Sequence, residues 1–345
     1  MESKIYQYYA TAISGLEEVV ADELKSSLAG ISPLRVERGK RQGRVYFSHR
    51  RSPRLLLELR TPLNICGSLF QVQGVTVGRP GLDRLLGQFQ KFDLQAAQRL
   101  LKSCEPAAEE DRFQLSVTMQ GAHRFSRGDL VRQVRALLQQ RGVNPGEGQG
   151  LLRLHLQVEG QRALLGLQLG RSRARQCLEE RGIGGPLASC LGRLLPAAGH
   201  EVLVAMGCSP AGVEELAGSG RRAQLIALDP RAAGKTGHAG WQVRGLPDFL
   251  PLQEGCADLV LAAGLGLPAH PWLAELLRIL HPGGVAALLA AESRAMPAIL
   301  QAFEGFAILA GLPINLKGRR HILWMMERLA GAEPLLEIEG ATPGG

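Results

Sequence analysis

Residues Glu201–Asp229 read EVLVAMGCSPAGVEELAGSGRRAQLIALD. A short apolar run leads into a turn of small residues, then a helical segment, a second apolar run and an acid. This order outlines a nucleotide-cofactor site in an α/β sheet, where a turn after the first strand lets backbone approach the ligand. The turn departs from the usual pattern at two places. Pro210 stands where glycine is expected, and Val204 stands where an acid often ends the strand. Proline holds φ near about −65° and carries no N–H, so this turn cannot copy the glycine version.

The pattern continues downstream. From about residue 183 the chain alternates apolar strands and helices: VLVAMG, GVEELAGS, AQLIALD, ADLVLAAG, HPWLAELLRIL, VAALLAAE and INLKGRRHILWMMERL. Such alternation predicts a parallel, doubly wound sheet. The last two strands read as a hairpin after a helix.

Upstream, residues 5–13 alternate as a strand. Ser14, with Glu17 three residues on, predicts a capped helix whose inner side carries Leu16, Val19, Val20, Glu23 and Leu24. Strands follow near Leu34–Glu37 and Arg44–Phe47. A helix is expected over LLLELRTPLNICGSLF, broken or started at Pro62. Residues 82–103 read as a helix or a broken pair, and Glu105–Asp111 as a linker. Then FQLSVTM (113–119) is a strand, 128–142 a helix, and 151–170 a hairpin turning at Glu159-Gly160-Gln161.

Charge is unevenly spread. Residues 1–182 carry 28 Lys and Arg against 18 Asp and Glu, and residues 183–345 carry 12 against 14. A basic half joined to a nearly neutral one suggests a polyanion partner for the first, with a solvated basic surface as the plain alternative. The six cysteines form no Cys-x-x-Cys pair, which argues against structural zinc and a disulfide framework. No apolar run reaches the roughly 20 residues of a membrane span, and MESKIYQYY lacks an apolar signal region. A cytoplasmic protein with no metal and no membrane partner is expected.

Several segments carry a resemblance in order and spacing. YYATAISGLEEVVADEL resembles the opening of the THUMP-containing RNA methyltransferases of the tRNA guanosine-N2 type. FQLSVTM, Arg124-Phe125-Ser126-Arg127 and LRLHLQVEGQRALLGLQLG resemble the THUMP core. RSRARQCLEERGIGGPLASCLGRLL resembles the linker into the methyltransferase domain, and HPGGVAALLAAE its closing turn and strand. The resemblance covers about residues 5–328.

It implies a ferredoxin-like domain over 1–78, a THUMP RNA-binding domain over 79–172 and a Rossmann-like class I methyltransferase domain over 173–330. The last would be a mostly parallel seven-stranded sheet, and a flexible tail would follow over 331–345. It implies tRNA or another structured RNA as partner and S-adenosylmethionine as cofactor. Arg124, Arg127, Arg132, Arg135, Arg171, Arg173 and Arg175 are the candidate phosphate contacts, since guanidinium binds phosphate bidentately.

Met206, Gly207, Ser209 and Asp229 are the candidate cofactor residues. Asp229 matches the acid that accepts from ribose hydroxyls, or else starts a surface turn before Pro230. Leu246 falls where an adenine-binding acid should precede Leu250-Pro251-Leu252, with Asp248 as a substitute. The motif Asn/Asp-Pro-Pro-Tyr/Phe, whose polar group and ring hold a flipped base, is replaced by Ala262-Ala263-Gly264-Leu265-Gly266-Leu267-Pro268. His270 and Trp272 offer an acceptor and a ring, or simply open the next helix. No catalytic residue is assigned. Three readings stay open: a diverged enzyme, a non-catalytic adaptor working with a protein partner in RNA modification, and a cofactor sensor.

Overall fold

The computed structural model describes residues 6–32, 34–148, 150–170, 178–179, 182–195, 202–217, 224–228, 234–235, 240–243, 250–263 and 270–331. The chain divides into two compact units. The first takes in Met1–Ala12, Val20–Gly39 and Gly43–Arg173, and the second Ile13–Val19, Lys40–Gln42 and Ala174–Gly345.

The first unit runs β1 (Tyr6–Ile13), α1 (Glu17–Ser27), β2 (Leu34–Glu37), β3 (Gln42–His49), β4 (Asn64–Gln73), α2 (Arg79–Lys91), α3 (Leu94–Cys104), β5 (Glu109–Gln120), α4 (Arg127–Gln140), β6 (Asn144–Pro145), β7 (Leu151–Glu159) and β8 (Arg162–Leu169). The strands form one eight-stranded sheet in the order β2-β3-β1-β4-β8-β7-β5-β6. β4 is its hinge. It pairs antiparallel with β1, Tyr9 opposite Cys66, and antiparallel with β8, Cys66 opposite Gln168.

Strand alternation sorts the side chains between the faces. Tyr8, Ala10 and Ala12 enter the main core with Phe89, Leu130 and Leu156, while Tyr9, Cys66 and Leu164 cluster separately, with Tyr46 packed on them. Arg44 is buried and makes two hydrogen bonds to Glu159, at 3.1 Å from Nη1 to Oε2 and again through Nη2, tying β3 to β7.

The inward residues expected on α1 are all buried, Glu23 among them. Glu23 accepts hydrogen bonds from the backbone N–H of Arg60 (3.2 Å) and Thr61 (2.9 Å) and from the Thr61 hydroxyl (2.5 Å), which is why a carboxylate is tolerated there. The helix starts at Glu17, whose carboxylate accepts from Gly15 N–H at 2.9 Å.

Two expectations are corrected, and the broken pair is decided over the single helix. The helix over LLLELRTPLNICGSLF is a six-residue 3-10 turn, Pro53–Glu58, followed by the ten-residue strand β4, because a strand here gains partners on both edges. Residues 82–103 form two helices, divided where Asp93 caps α3 by accepting Ala96 N–H at 2.8 Å. The linker over Glu105–Asp111 is shorter, since β5 starts at Glu109.

The second unit adds β9 (Leu178–Glu179), β10 (Gly182–Ile183), α5 (Gly185–Leu194), β11 (Val202–Met206), α6 (Pro210–Ala217), β12 (Gln224–Leu228), β13 (Gly234–Lys235), β14 (Gly240–Val243), β15 (Ala257–Ala263), α7 (His270–Ile279), β16 (Leu280–Ala291), α8 (Met296–Ala302), β17 (Phe306–Leu316) and β18 (Arg319–Arg328). Its main sheet has the order β13-β14-β12-β11-β15-β16-β18-β17. β14, β12, β11, β15 and β16 are parallel, and β18 runs antiparallel between β16 and β17. The seven strands expected are eight, because Gly234–Lys235 adds a two-residue antiparallel strand beside β14. Strand order reverses between β11 and β15, the position where open α/β sheets form a crevice at their carboxyl ends.

Candidate functional site

At this position stands the turn between β11 and α6. Ser209 is fully buried and precedes α6. Its hydroxyl oxygen accepts Gly212 N–H at 3.1 Å and its carbonyl accepts Val213 N–H at 2.9 Å, so it caps the helix. Pro210 is then the first helical residue, where a missing N–H forfeits no helical bond. β10 seals the other side: Ile183 N–H donates to the Gly207 carbonyl and Ser209 N–H to the Ile183 carbonyl, both at 2.9 Å. A Cβ on Gly212 would lie 2.1 Å from the Ile183 oxygen, so only glycine lets α6 pack this close. Across the helices, the Ser189 hydroxyl bonds Glu215 at 3.0 Å.

Of the candidate cofactor residues, Met206 is buried among Val204, Val260 and Leu288. Gly207 has φ +67°, which glycine adopts without strain. Ser209 is committed to its cap. Asp229, Leu246 and Asp248 lie outside the described residues. At four positions the described turn therefore offers S-adenosylmethionine no backbone donor. The N–H groups of Ser209, Gly212 and Val213 are engaged within the protein, and Pro210 has none. Burial pushes the Cys208 thiol up to about 12, so it stays protonated at neutral pH.

At the end of β15, Ala262 and Ala263 are buried and residues 264–269 are not described. Trp272 sits in the core at 2% exposure, which removes it as a ring on which a flipped base could stack. His270 opens α7 with Pro271 in the first turn. Asp258 accepts Val202 N–H at 2.9 Å and so aligns the start of β11.

A polar clamp that the sequence reading missed holds the Leu250–Leu252 segment. Glu275 accepts Leu250 N–H at 2.8 Å and two bonds from Arg278, which also donates to the carbonyls of Leu250 (2.9 Å) and Leu252 (2.8 Å). Burial pushes the Glu275 carboxyl up, but Arg278 and the Leu250 N–H outweigh it and hold it below the usual range. The sequence signal was a Glu and an Arg three apart on the otherwise apolar helix HPWLAELLRIL.

In the first unit Arg124, Arg127, Arg132 and Arg135 are all exposed, on or just before α4. Ser126 caps α4 by accepting Asp129 N–H at 3.0 Å. The Ser126 hydroxyl, with Arg132, holds the Asp129 carboxyl low. Arg171, Arg173 and Arg175 lie outside the described residues. Among the described residues no group of three or more His, Cys, Asp or Glu is placed to hold a metal, and no helix is long and apolar enough to cross a membrane.

With this geometry the fold can be compared with known ones. The chain is similar in fold to TrmN from Thermus thermophilus. The TM-score is 0.69 at 24% identity, over 94% of this chain and 99% of TrmN. SMU.472, a putative methyltransferase complexed with SAH, gives 0.63 at 14% identity over 96% and 100% of the two chains. A possible methylase from Clostridium difficile 630 gives 0.62 at 10% identity over 96% and 100%. At these identities the likeness is one of fold. No protein-family model matches the chain, and no curated protein matches it.

Proposed function

We propose that this chain is a tRNA-binding protein of the THUMP-containing, S-adenosylmethionine-dependent methyltransferase type, whose cofactor turn and base-holding motif have degenerated. The observation that carries the reading is the end-to-end fold likeness to TrmN, which spans both units and not the sheet of the second alone. The excess positive charge of residues 1–182 and the exposed arginines of α4 support RNA as the ligand. In this reading residues 1–78 and 79–172 are the ferredoxin-like and THUMP parts. Arg124, Arg127, Arg132, Arg135, Arg171, Arg173 and Arg175 contact phosphates, and Asp229 is the remaining cofactor acid. The test is binding of bulk tRNA across a salt series: log Kd should rise linearly with log salt, and Arg124→Gln with Arg127→Gln should flatten the slope. An unchanged slope would overturn the arginine assignment.

A second reading is favoured by the Ser209–Pro210 cap and the Ile183 seal: a non-catalytic adaptor that holds RNA for another modifying enzyme. Calorimetric titration with S-adenosylmethionine and its demethylated product separates the two. Micromolar binding removes the adaptor reading, and methyl transfer to tRNA then separates an enzyme from a sensor.

A further inference from the structure

The hairpin tip joining β17 and β18 carries a feature that no part of the cofactor turn explains. Leu316 pairs with Arg319, leaving Lys317 and Gly318 as a two-residue turn. Their φ angles are +50° and +82°, and Lys317 is the single non-glycine residue with positive φ among those described. A turn with two left-handed residues favours Asn-Gly or Gly-Gly, and a lysine there is held at a cost of about 1–2 kcal/mol.

The tip continues as Arg319, Arg320 and His321, the first two exposed and the third half-exposed. Register sets Arg320 opposite Asn315, on one face of the hairpin. Asn315 in turn fixes the Lys40 segment of the same unit, donating from Nδ2 to the Lys40 carbonyl at 2.8 Å. Its backbone N–H donates to the Ser14 carbonyl at 3.0 Å. Lys40 and Arg41 are exposed beside it. Glu292 pairs with Arg320 at 3.3 Å. Both side chains stay largely exposed, so the pair holds Arg320 only weakly.

We propose that this tip, with Lys317, Arg319, Arg320, Lys40 and Arg41, is a second RNA phosphate-binding surface, carried by the unit that is nearly neutral overall. Charge chooses the partner. Lys40, Arg41, Lys317, Arg319 and Arg320 are all exposed in a unit whose stretch 183–345 carries more acids than bases, so the positive charge is local. Arginine forks suit phosphodiester oxygens, and Lys317 is exposed at a left-handed turn position. The inference rests on the RNA-binding reading, and adds a contact outside the first unit.

The test uses the full chain and bulk tRNA. Lys317→Gly places glycine in the left-handed position and is expected to keep or raise thermal stability. Combined with Arg319→Gln and Arg320→Gln it should weaken tRNA binding about tenfold at moderate salt and lower the salt slope by about 2. Should the triple variant keep wild-type affinity and slope while Arg124→Gln with Arg127→Gln weakens binding, the tip has no RNA role and the proposed function stands. Should wild-type protein bind no tRNA, both ideas fail. Tip-dependent binding to vesicles rich in phosphatidylserine, with tRNA binding unchanged, would also overturn the RNA assignment.

Discussion

Gly207 and Ala263 meet backbone to backbone at the carboxyl ends of β11 and β15. A Cβ on Gly207 would lie 1.9 Å from the Ala263 carbonyl oxygen. The contact brings the turn onto the neighbouring strand, and the left-handed φ of Gly207 is part of it. Gly207→Ala combines a left-handed alanine with a clash against backbone that cannot swing aside. A loss of about 3 kcal/mol or more is expected in urea unfolding of the second unit. A loss below about 1 kcal/mol would show that the turn yields.

The Glu275–Arg278 clamp is largely buried, so removing one partner leaves the other without its counter-charge. Arg278→Ala should lose about 3 kcal/mol. The depressed Glu275 carboxyl gives a pH signature. Its contribution is complete above the ordinary carboxylate range and is lost as pH falls through its lower folded value. Thermal melts of Glu275→Gln should lack that acid-side decline. A parallel decline in the variant would place the effect elsewhere.

The first unit has its own acid sensitivity at higher pH. Burial lowers the pKa of His49, and burial together with Arg44 lowers that of His155. The unfolded chain takes up protons at about pH 6.5 that the folded chain refuses. Stability therefore falls as pH drops below that value. A double variant, His49→Asn with His155→Asn, should show a flatter melting temperature between about pH 7 and 5. Equal slopes would exclude both histidines as the source.

Glu23 tests the α1 junction. Glu23→Ala leaves the Arg60 and Thr61 donors without their acceptor and should destabilise by about 2–4 kcal/mol. Glu23→Gln, which keeps an acceptor oxygen, should lose less. If the two variants are equally unstable, the hydrogen bonds are not the reason for the buried carboxylate.

Much of the second unit was legible because apolar strands and helices alternate there, and that pattern has few solutions. VLVAM, QLIAL and ADLVLAA stand as β11, β12 and β15. Ser209 has a role that this pattern hides. A serine followed by proline at a helix start is a cap signal, yet expectation of a ligand drew it into the cofactor turn. NICGSLF falls within LLLELRTPLNICGSLF, whose leucines suggest a helix, while its strand state depends on β1 and β8, far off in sequence. Lys317 could not be found from composition, since its meaning lies in a backbone angle.

The β4–β8 pairing sets a schedule for synthesis. β4 is complete at Gln73, but the strand that occupies its second edge ends at Leu169. While the intervening residues are being made, an unpaired row of backbone groups on β4 stands open on the nascent chain. A fragment that stops short of β8 therefore leaves the second edge of β4 without its partner strand.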